Sequence, residues 1–86
     1  LGTLPTPIVP LPRLSSYAGA EIWCKRDDLS GARYGGNKVR KLEFLLAQAE
    51  AEGADTLLTT GAAGSHHVLA TTLYGKARGF EVHAVM

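Results

Sequence analysis

The first residues with a spacing suited to chemistry follow a double glycine. Gly35 and Gly36 precede Asn37 and Lys38. Two glycines let the backbone turn sharply and approach a ligand closely. Lys38 then falls in the first turn of a predicted helix, where the partial positive charge of the helix end disfavours a cation. A less protonated amine is a better nucleophile towards a carbonyl group, so this lysine is a candidate for Schiff-base chemistry. From the spacing alone, a solvated surface lysine remains the favoured interpretation.

A second candidate site is the loop at residues 61–65 with the two histidines that follow it. The backbone N–H groups at the start of a helix form an anion site for a carboxylate or a phosphate. Ser65 adds a hydroxyl group, and His66 and His67 add titratable donors. The loop lacks the third glycine of a dinucleotide fingerprint and the Gly-Lys pair of a phosphate loop. From the spacing alone, a plain strand-to-helix turn capped by Ser65 is the favoured interpretation.

The residue types favour neither metal binding nor paired-carboxylate chemistry. His66 and His67 are neighbours that project in different directions, and neither Cys24 nor His83 has ligand spacing. We therefore expect no metal site. The pair Asp27–Asp28 is followed by serine and glycine, which indicates turn-forming aspartates and not an acid/base pair.

The elements that must position these residues begin with a proline-rich segment. All four prolines lie within residues 4–14, and proline fixes φ and removes a backbone donor. We expect residues 1–20 to form an extended, non-helical lead-in that lies on the domain, because apolar side chains stand among the prolines. A Pro7-x-x-Pro10 spacing also occurs in SH3 ligands, which is the less favoured alternative.

Two helical patterns follow, and each has a candidate cap. Asn37 is expected to cap the first helix, and Gly53 is expected to end it. Its apolar stripe consists of Val39, Leu42, Leu46 and Ala49, widened by Leu45. Ser65 is expected to cap the second helix, which runs to about Arg78. Its predicted buried side consists of Val68, Leu69, Thr72, Leu73 and Ala77.

Short apolar strands flank these helices, at residues 21–25, 56–60 and 82–86. Residues 21–86 therefore read as a βαβαβ segment. This order predicts an α/β fold with a three-layer open parallel sheet and helices on both faces. Ligands bind such sheets at the carboxyl ends of the strands, where the loop 61–65 lies. The loop before Asn37 lies there too if the first strand is parallel to the others.

Composition excludes several classes of function. The formal net charge of +1 favours neither nucleic acid nor an anionic membrane. The single cysteine cannot form an internal disulfide, and no apolar run approaches the ~20 residues that span a bilayer. These features predict a soluble, cytoplasmic protein. Because the chain begins without Met and ends inside an apolar strand, we expect a fragment of a longer protein.

Several motifs occur in the order that one enzyme family shows. They are Leu4-Pro5-Thr6-Pro7, Leu11-Pro12-Arg13-Leu14-Ser15, Lys25-Arg26-Asp27-Asp28-Leu29, Gly35-Gly36-Asn37-Lys38-Val39-Arg40-Lys41-Leu42-Glu43 and Gly53-Ala54-Asp55-Thr56-Leu57, followed by a Gly-x-x-x-Ser loop. The sequence resembles the 1-aminocyclopropane-1-carboxylate deaminase and D-cysteine desulfhydrase family. These are pyridoxal-phosphate enzymes of fold type II, similar to tryptophan synthase β. The resemblance covers nearly the whole chain and identifies it as an N-terminal fragment, incomplete and inactive alone.

The resemblance implies the cofactor pyridoxal 5'-phosphate and specific residue roles. Lys38 would form the Schiff base and then move protons, and Ser65 would lie near the reacting carbon and receive the substrate carboxylate. The cofactor contacts would come from Asn37, Lys41 and His66. His67, with Ser65 and His66, would bind the substrate.

The sequence departs from the family at two positions in this loop. The family has Asn at the position of His66, where it contacts the ring hydroxyl of the cofactor, and commonly has Gln at the position of Gly64. These departures argue against strict cyclopropane deaminase activity.

The favoured function is a pyridoxal-phosphate-dependent deaminase, desulfhydrase or related lyase that acts on a small amino acid, and the resemblance implies a homodimer. One alternative is a non-catalytic α/β module that binds an anion or an amino acid and has lost the chemistry through His66. Another is a nucleotide-binding domain with its phosphate at the loop 61–65.

Overall fold

The computed structural model describes all 86 residues as two small sheets and three helices. The elements in chain order are β1 (Ile8–Pro10), α1 (Pro12–Ala18), β2 (Trp23–Lys25), a 3₁₀ turn (Asp27–Leu29), α2 (Lys38–Ala51), β3 (Thr56–Thr60), α3 (His66–Ala77) and β4 (Glu81–Val85). None of the helices has the length and apolar character that crossing a bilayer requires.

The strand expected at residues 21–25 does not join the parallel sheet. β2 is shorter than predicted and pairs with β1 in the antiparallel direction, with Val9 opposite Cys24. The connection between β1 and β2 contains α1 and returns the chain in the opposite direction, so that β2 runs back along β1. The prediction of three parallel strands is therefore wrong for this chain. Because β2 is not part of the parallel sheet, the loop before Asn37 does not follow a parallel strand.

The lead-in is only partly extended. Pro12 starts α1 and occupies a first-turn position, where its missing N–H would have had no helical partner in any case. Gly19 ends this helix in a left-handed conformation, with φ of 66°. The prediction that residues 1–20 are non-helical is therefore wrong for Pro12–Ala18. α1 buries none of its residues.

The parallel pair β3–β4 and the crossover helix α3 form the most regular part of the molecule. β3 has the predicted bounds, and β4 lies one residue earlier than predicted. Helix α3 packs closely on both strands at Gly75. A Cβ atom there would lie 2.8 Å from Cδ1 of Leu57 and 2.9 Å from Cγ2 of Val82.

The apolar core lies between α2, α3 and one face of the β3–β4 sheet. The predicted stripe of α2 is confirmed for three fully buried residues and one half-buried residue: Val39, Leu42, Leu46 and Ala49. They meet Ala70, Tyr74 and Phe80. The opposite sheet face carries Leu58 and Val85, which are 71% and 57% exposed. Within this chain, α2 and α3 both pack on the sheet face that carries Leu57 and Val82.

The buried side of α3 differs from the predicted one. The buried residues are Val68, Ala70, Thr71, Tyr74 and Gly75, whereas Leu69 and Ala77 are exposed. Apolar residues surround this helix, so its pattern does not select a face. The small residues at positions 70 and 75 allow the close approach that decides the orientation.

Candidate functional site

The loop before Lys38 is fixed by backbone contacts with the 3₁₀ turn. The fully buried Ser30 donates its hydroxyl to the carbonyl oxygen of Gly36 at 2.8 Å, and its Oγ accepts from the Gly36 N–H at 3.1 Å. The Gly36 N–H also donates to the carbonyl oxygen of Asp27 at 2.7 Å. At Gly35, a Cβ atom would lie only 1.9 Å from the carbonyl oxygen of Asp28. Gly35 is therefore required by a close approach of two backbone segments, and Gly36 by its φ of 111°, which favours glycine.

Lys38 is the first residue of α2 and is half-buried. The predicted cap before it is wrong. Asn37 has helical backbone angles (φ −68°, ψ −17°), and its side chain makes no capping hydrogen bond. A capping side chain reaches the free N–H groups from an extended backbone conformation, which Asn37 does not have. The lysine amine thus lies at a helix start whose N–H groups lack a side-chain cap.

Ser65 caps α3 as predicted. Its backbone is extended (φ −61°, ψ 119°), and its Oγ accepts a hydrogen bond from the N–H of Val68 at 3.4 Å. The N–H of Ser65 itself donates to the carbonyl oxygen of Ala62, which closes the loop. The next N–H groups, of His66 and His67, have no intrahelical partner because they belong to the first turn. They provide backbone donors at the positive end of α3.

His67, in the first turn of α3, is affected by the positive charges of two lysines in the first turn of α2. Burial is the main reason why the pKa of its imidazole is lowered, and the positive charges of Lys41 and Lys38 lower it further. The imidazole is therefore held in its neutral form near these two amines. Its buried Nδ1 atom has no hydrogen-bond partner. The charges of Lys38 and Lys41 thus act on a histidine that lies 29 and 26 residues further along the chain.

A cavity of about 410 Å³ opens beside the start of α3. Its polar end is formed by Ser65 and His66. The other lining residues are Gly64, Val68, Leu69, Thr72, Ala84 and Met86. A mostly apolar cavity with a few convergent polar groups is typical of a small-molecule site.

Tyr34 contacts His66, although it was not predicted from the sequence as a site residue. Its phenol is hydrogen-bonded to Nδ1 of His66, and the two rings stack with centroids 6.1 Å apart. The main chain of Tyr34 is held by the hydroxyl of Tyr74. The only sequence signal was an aromatic residue directly before the double glycine, because the partners of Tyr34 are 32 and 40 residues away.

The aspartate pair does not take part in the site. Asp27 accepts two hydrogen bonds from Arg40, at 2.8 and 2.9 Å, and one from Thr6 at 3.0 Å. The hydrogen bonds from Arg40 are the main cause that lowers the pKa of Asp27 to about 2. Asp28 instead pairs with Arg26. Both aspartates belong to the 3₁₀ turn Asp27–Leu29, which confirms the prediction that they are turn-forming residues.

The fold and the site together define an α/β chain with a cavity suited to a small molecule. An amine lies in the first turn of α2, and two imidazoles and free backbone N–H groups lie in the first turn of α3. Comparison with known proteins gives the family. Residues 1–86 match the family described as pyridoxal-phosphate dependent enzyme, and the chain belongs to this family.

Relatives with assigned activities cover almost all of the chain. The D-cysteine desulfhydrases of Salmonella paratyphi B and Salmonella newport are each 52% identical over 82 residues, which is 95% of this chain and 25% of theirs. The crystal structure of a protein described as an ACC deaminase homologue matches with a TM-score of 0.93 and 45% identity. It covers 98% of this chain and 26% of its own. The chain therefore spans about a quarter of the length of these relatives, and the predicted family, fold type and cofactor are confirmed.

The residues present fit the cofactor of this family. An aldehyde requires an amine, which Lys38 offers at the start of α2. An anionic cofactor or substrate requires donors, and the first N–H groups of α3 have no intrahelical partners. The individual roles of Lys38, Asn37, Lys41, Ser65, His66 and His67 remain predictions.

Proposed function

We propose that this chain is the N-terminal part of a longer pyridoxal-phosphate-dependent desulfhydrase, deaminase or related lyase that acts on a small amino acid. The relatives named D-cysteine desulfhydrase support this activity. The observation that carries the proposal is the position of Lys38 as the first residue of α2, behind a double-glycine loop that is held to the 3₁₀ turn. The products would be a keto acid, ammonia and, for a substrate such as cysteine, sulfide.

Lys38 would hold the cofactor covalently through Nζ. When bound, pyridoxal phosphate supplies an electron sink for the carbon next to the substrate amine. Once the substrate amine has taken its place, Nζ of Lys38 would accept and return a proton at that carbon. The contacts of Gly35 and Gly36 with the 3₁₀ turn fix the loop that leads to this amine. Asn37, Lys41 and His66 would add cofactor contacts.

The loop 61–65 would bind the substrate carboxylate. The free N–H groups of α3 and the hydroxyl of Ser65 point to an anion at this helix end. Ser65 would also lie next to the reacting carbon. His67 would act as a neutral donor or acceptor, because burial and, to a smaller extent, the neighbouring amines lower its pKa.

The remaining partner predictions are part of the same proposal. A small amino acid is the substrate, and the formal net charge of +1 supports neither nucleic acid nor membrane as a partner. The cytoplasm is the proposed location, since a single cysteine suits a reducing compartment. A homodimer is the proposed assembly of the full-length protein, which light scattering would test.

The decisive experiment uses the full-length protein loaded with pyridoxal phosphate. Borohydride reduction followed by peptide mapping should place the cofactor on Lys38. The Lys38→Ala variant should lose the visible absorbance of the bound cofactor and the turnover. Lys76→Ala is the matched control, because Lys76 is exposed at the far end of α3.

The outcomes separate the candidate functions. A stable adduct on another lysine would contradict the role of Lys38. Absence of both colour and adduct, with retained amino-acid binding, would favour the non-catalytic binding module instead. Within the enzyme hypothesis, a panel of D- and L-amino acids assayed for keto acid and sulfide would distinguish desulfhydrase from deaminase.

A further inference from the structure

We infer that Tyr34 is a positioning residue that holds His66 as an Nε2–H donor to an anionic oxygen of the bound ligand. The inference rests on the proposed function, because it gives a role to the side chain next to Ser65. It concerns a contact between a loop and a helix that are separated by 32 residues.

The backbone of Tyr34 is fixed to α3 although it lies in a loop. Its N–H donates to the hydroxyl oxygen of Tyr74 at 3.2 Å, and the same hydroxyl donates to the carbonyl oxygen of Tyr34 at 2.6 Å. Tyr74 is only 4% exposed and belongs to the apolar core. The loop therefore has a rigid attachment to the helix that carries His66.

The side chain of Tyr34 then reaches the first turn of the same helix. His66 and Tyr74 are eight residues apart, so they lie on one face of α3. The phenol of Tyr34 is hydrogen-bonded to Nδ1 of His66, and the two rings are inclined by 26°. His66 is otherwise exposed and makes no other side-chain hydrogen bond. The stacked ring and the hydrogen bond together fix the orientation of its imidazole.

With the phenol assigned as the donor of this hydrogen bond, the contact specifies which ring nitrogen of His66 carries the proton. A neutral imidazole has one donor and one acceptor nitrogen. When the phenol donates to Nδ1, the proton of the ring resides on Nε2. Nε2 is then a donor with no protein acceptor, and His66 lines a cavity together with Ser65.

The surroundings specify the ligand atom that Nε2–H meets. The helix start carries partial positive charge and free N–H groups, so an oxygen with negative charge is favoured there. Two sources have this chemistry: the carboxylate of the amino acid and an anionic oxygen of the cofactor. Kinetic and binding measurements distinguish them.

The first test is NMR of the full-length apoprotein with ¹⁵N-labelled histidine, at alkaline pH where histidine side chains are neutral. The His66 signals are assigned by their loss in His66→Asn. In the wild type we expect a pyrrole-like signal from Nε2 and a pyridine-like signal from Nδ1. In Tyr34→Phe the two signals should move towards each other, because both tautomers become populated. Unchanged signals would overturn the inference without any bearing on cofactor binding.

The second test is a double-mutant cycle in the loaded enzyme. Tyr34→Phe should raise KM for the amino acid, or Kd for pyridoxal phosphate, by about three- to tenfold, as expected when a hydrogen bond to an anion is weakened. A rise in KM assigns the oxygen to the substrate, and a rise in Kd assigns it to the cofactor. In the His66→Asn background, Tyr34→Phe should change either constant by less than about twofold, because its effect passes through His66.

The matched control is Tyr17→Phe, which removes the same atom from a tyrosine that is 92% exposed on α1. It should leave the NMR signals and both constants unchanged. Equal effects of Tyr34→Phe with and without His66 would refute the positioning role. If borohydride fixes no cofactor on Lys38 in the wild type, the proposed function fails, and the NMR result still decides the Tyr34–His66 contact separately.

Discussion

Two regions of this chain are held in place by different forces. The N-terminal region, residues 1–36, buries only two residues, Thr6 and Ser30, and both are polar. The C-terminal region, residues 37–86, contains all seven buried hydrophobic side chains. In the first region, hydrogen bonds and ion pairs determine position. In the second, apolar packing of α2 and α3 on the sheet does so.

The candidate site lies where the two regions meet. Polar contacts of the N-terminal region fix the loop before Lys38, whereas the core of the C-terminal region fixes the helix that carries it. The Arg40–Asp27 ion pair joins the regions, and Arg78 joins the ends of α2 and α3 through Glu50. The geometry of the candidate site therefore depends on both regions, whereas the apolar core lies in the second.

The largest effect is expected from a core substitution in the C-terminal region. Leu42→Ala should lower the free energy of unfolding of the full-length protein by about 2–5 kcal/mol, because Leu42 is 1% exposed and leaves a cavity. The matched variant in the N-terminal region is Leu14→Ala, on a residue that is 48% exposed. It should cost less than about 0.5 kcal/mol. Equal losses in denaturant unfolding would abolish the distinction between the regions.

A smaller loss of stability but a larger loss of function is expected from Gly35→Ala. The new Cβ would meet the carbonyl oxygen of Asp28 at 1.9 Å, so the loop must shift. Overpacking of this kind costs about 1–3 kcal/mol. The fraction of protein that binds the cofactor, measured by visible absorbance, should fall strongly. The unfolding temperature should fall only slightly. The exposed neighbour Ala32→Ser should change neither, and full loading of Gly35→Ala would show that the loop does not position Lys38.

Loss of the cap on α3 should have a more modest effect. Ser65→Ala should destabilise the full-length protein by about 0.5–1 kcal/mol, since its Oγ accepts only one long hydrogen bond. Ser65→Thr keeps the hydroxyl and should restore most of this stability. Ser16→Ala, on the exposed surface of α1, serves as the control. Thermal unfolding distinguishes these three variants. A Ser65→Ala variant as stable as the wild type would contradict the capping role.

The smallest effects are expected from pH, and they fall in different windows for the two regions. In the N-terminal region, the folded pKa of Asp27 is about 2, below the ordinary value of 3.8. Its contribution to stability is therefore full above pH 3.8 and is lost as the pH falls towards 2. The stability difference between wild type and Asp27→Asn should shrink in this window. Added salt should also reduce it, because the ion pair is solvent-accessible.

In the C-terminal region, His67 responds at higher pH. Its pKa is lowered from the ordinary 6.5, chiefly by burial, so the unfolded chain binds the proton more readily. The contribution of the neutral imidazole is full above 6.5 and declines as the pH falls below that value. Unfolding measured against pH should show that His67→Gln loses less stability than wild type on mild acidification. An identical profile would place His67 in a solvated setting.

Local pattern in the sequence determined much of the C-terminal region. Strand Thr56–Thr60 and the buried face of α2 followed from apolar spacing, and the cap at Ser65 followed from its residue type. These features depend on contacts within a few residues. The motif around Lys38 also indicated the family and its cofactor, which the comparisons confirmed.

Tertiary structure alone decided features that depend on distant partners. One such feature is the pairing of β2 with β1, an extended segment of the lead-in. Another is the burial of Tyr74 in the core, which the close packing of α3 at Gly75 permits. Asn37 failed as a cap because its backbone entered the helix. The Tyr34–His66 contact joins residues 32 positions apart through a third residue in the core. No local periodicity encodes such contacts, since they exist only after the helices have packed.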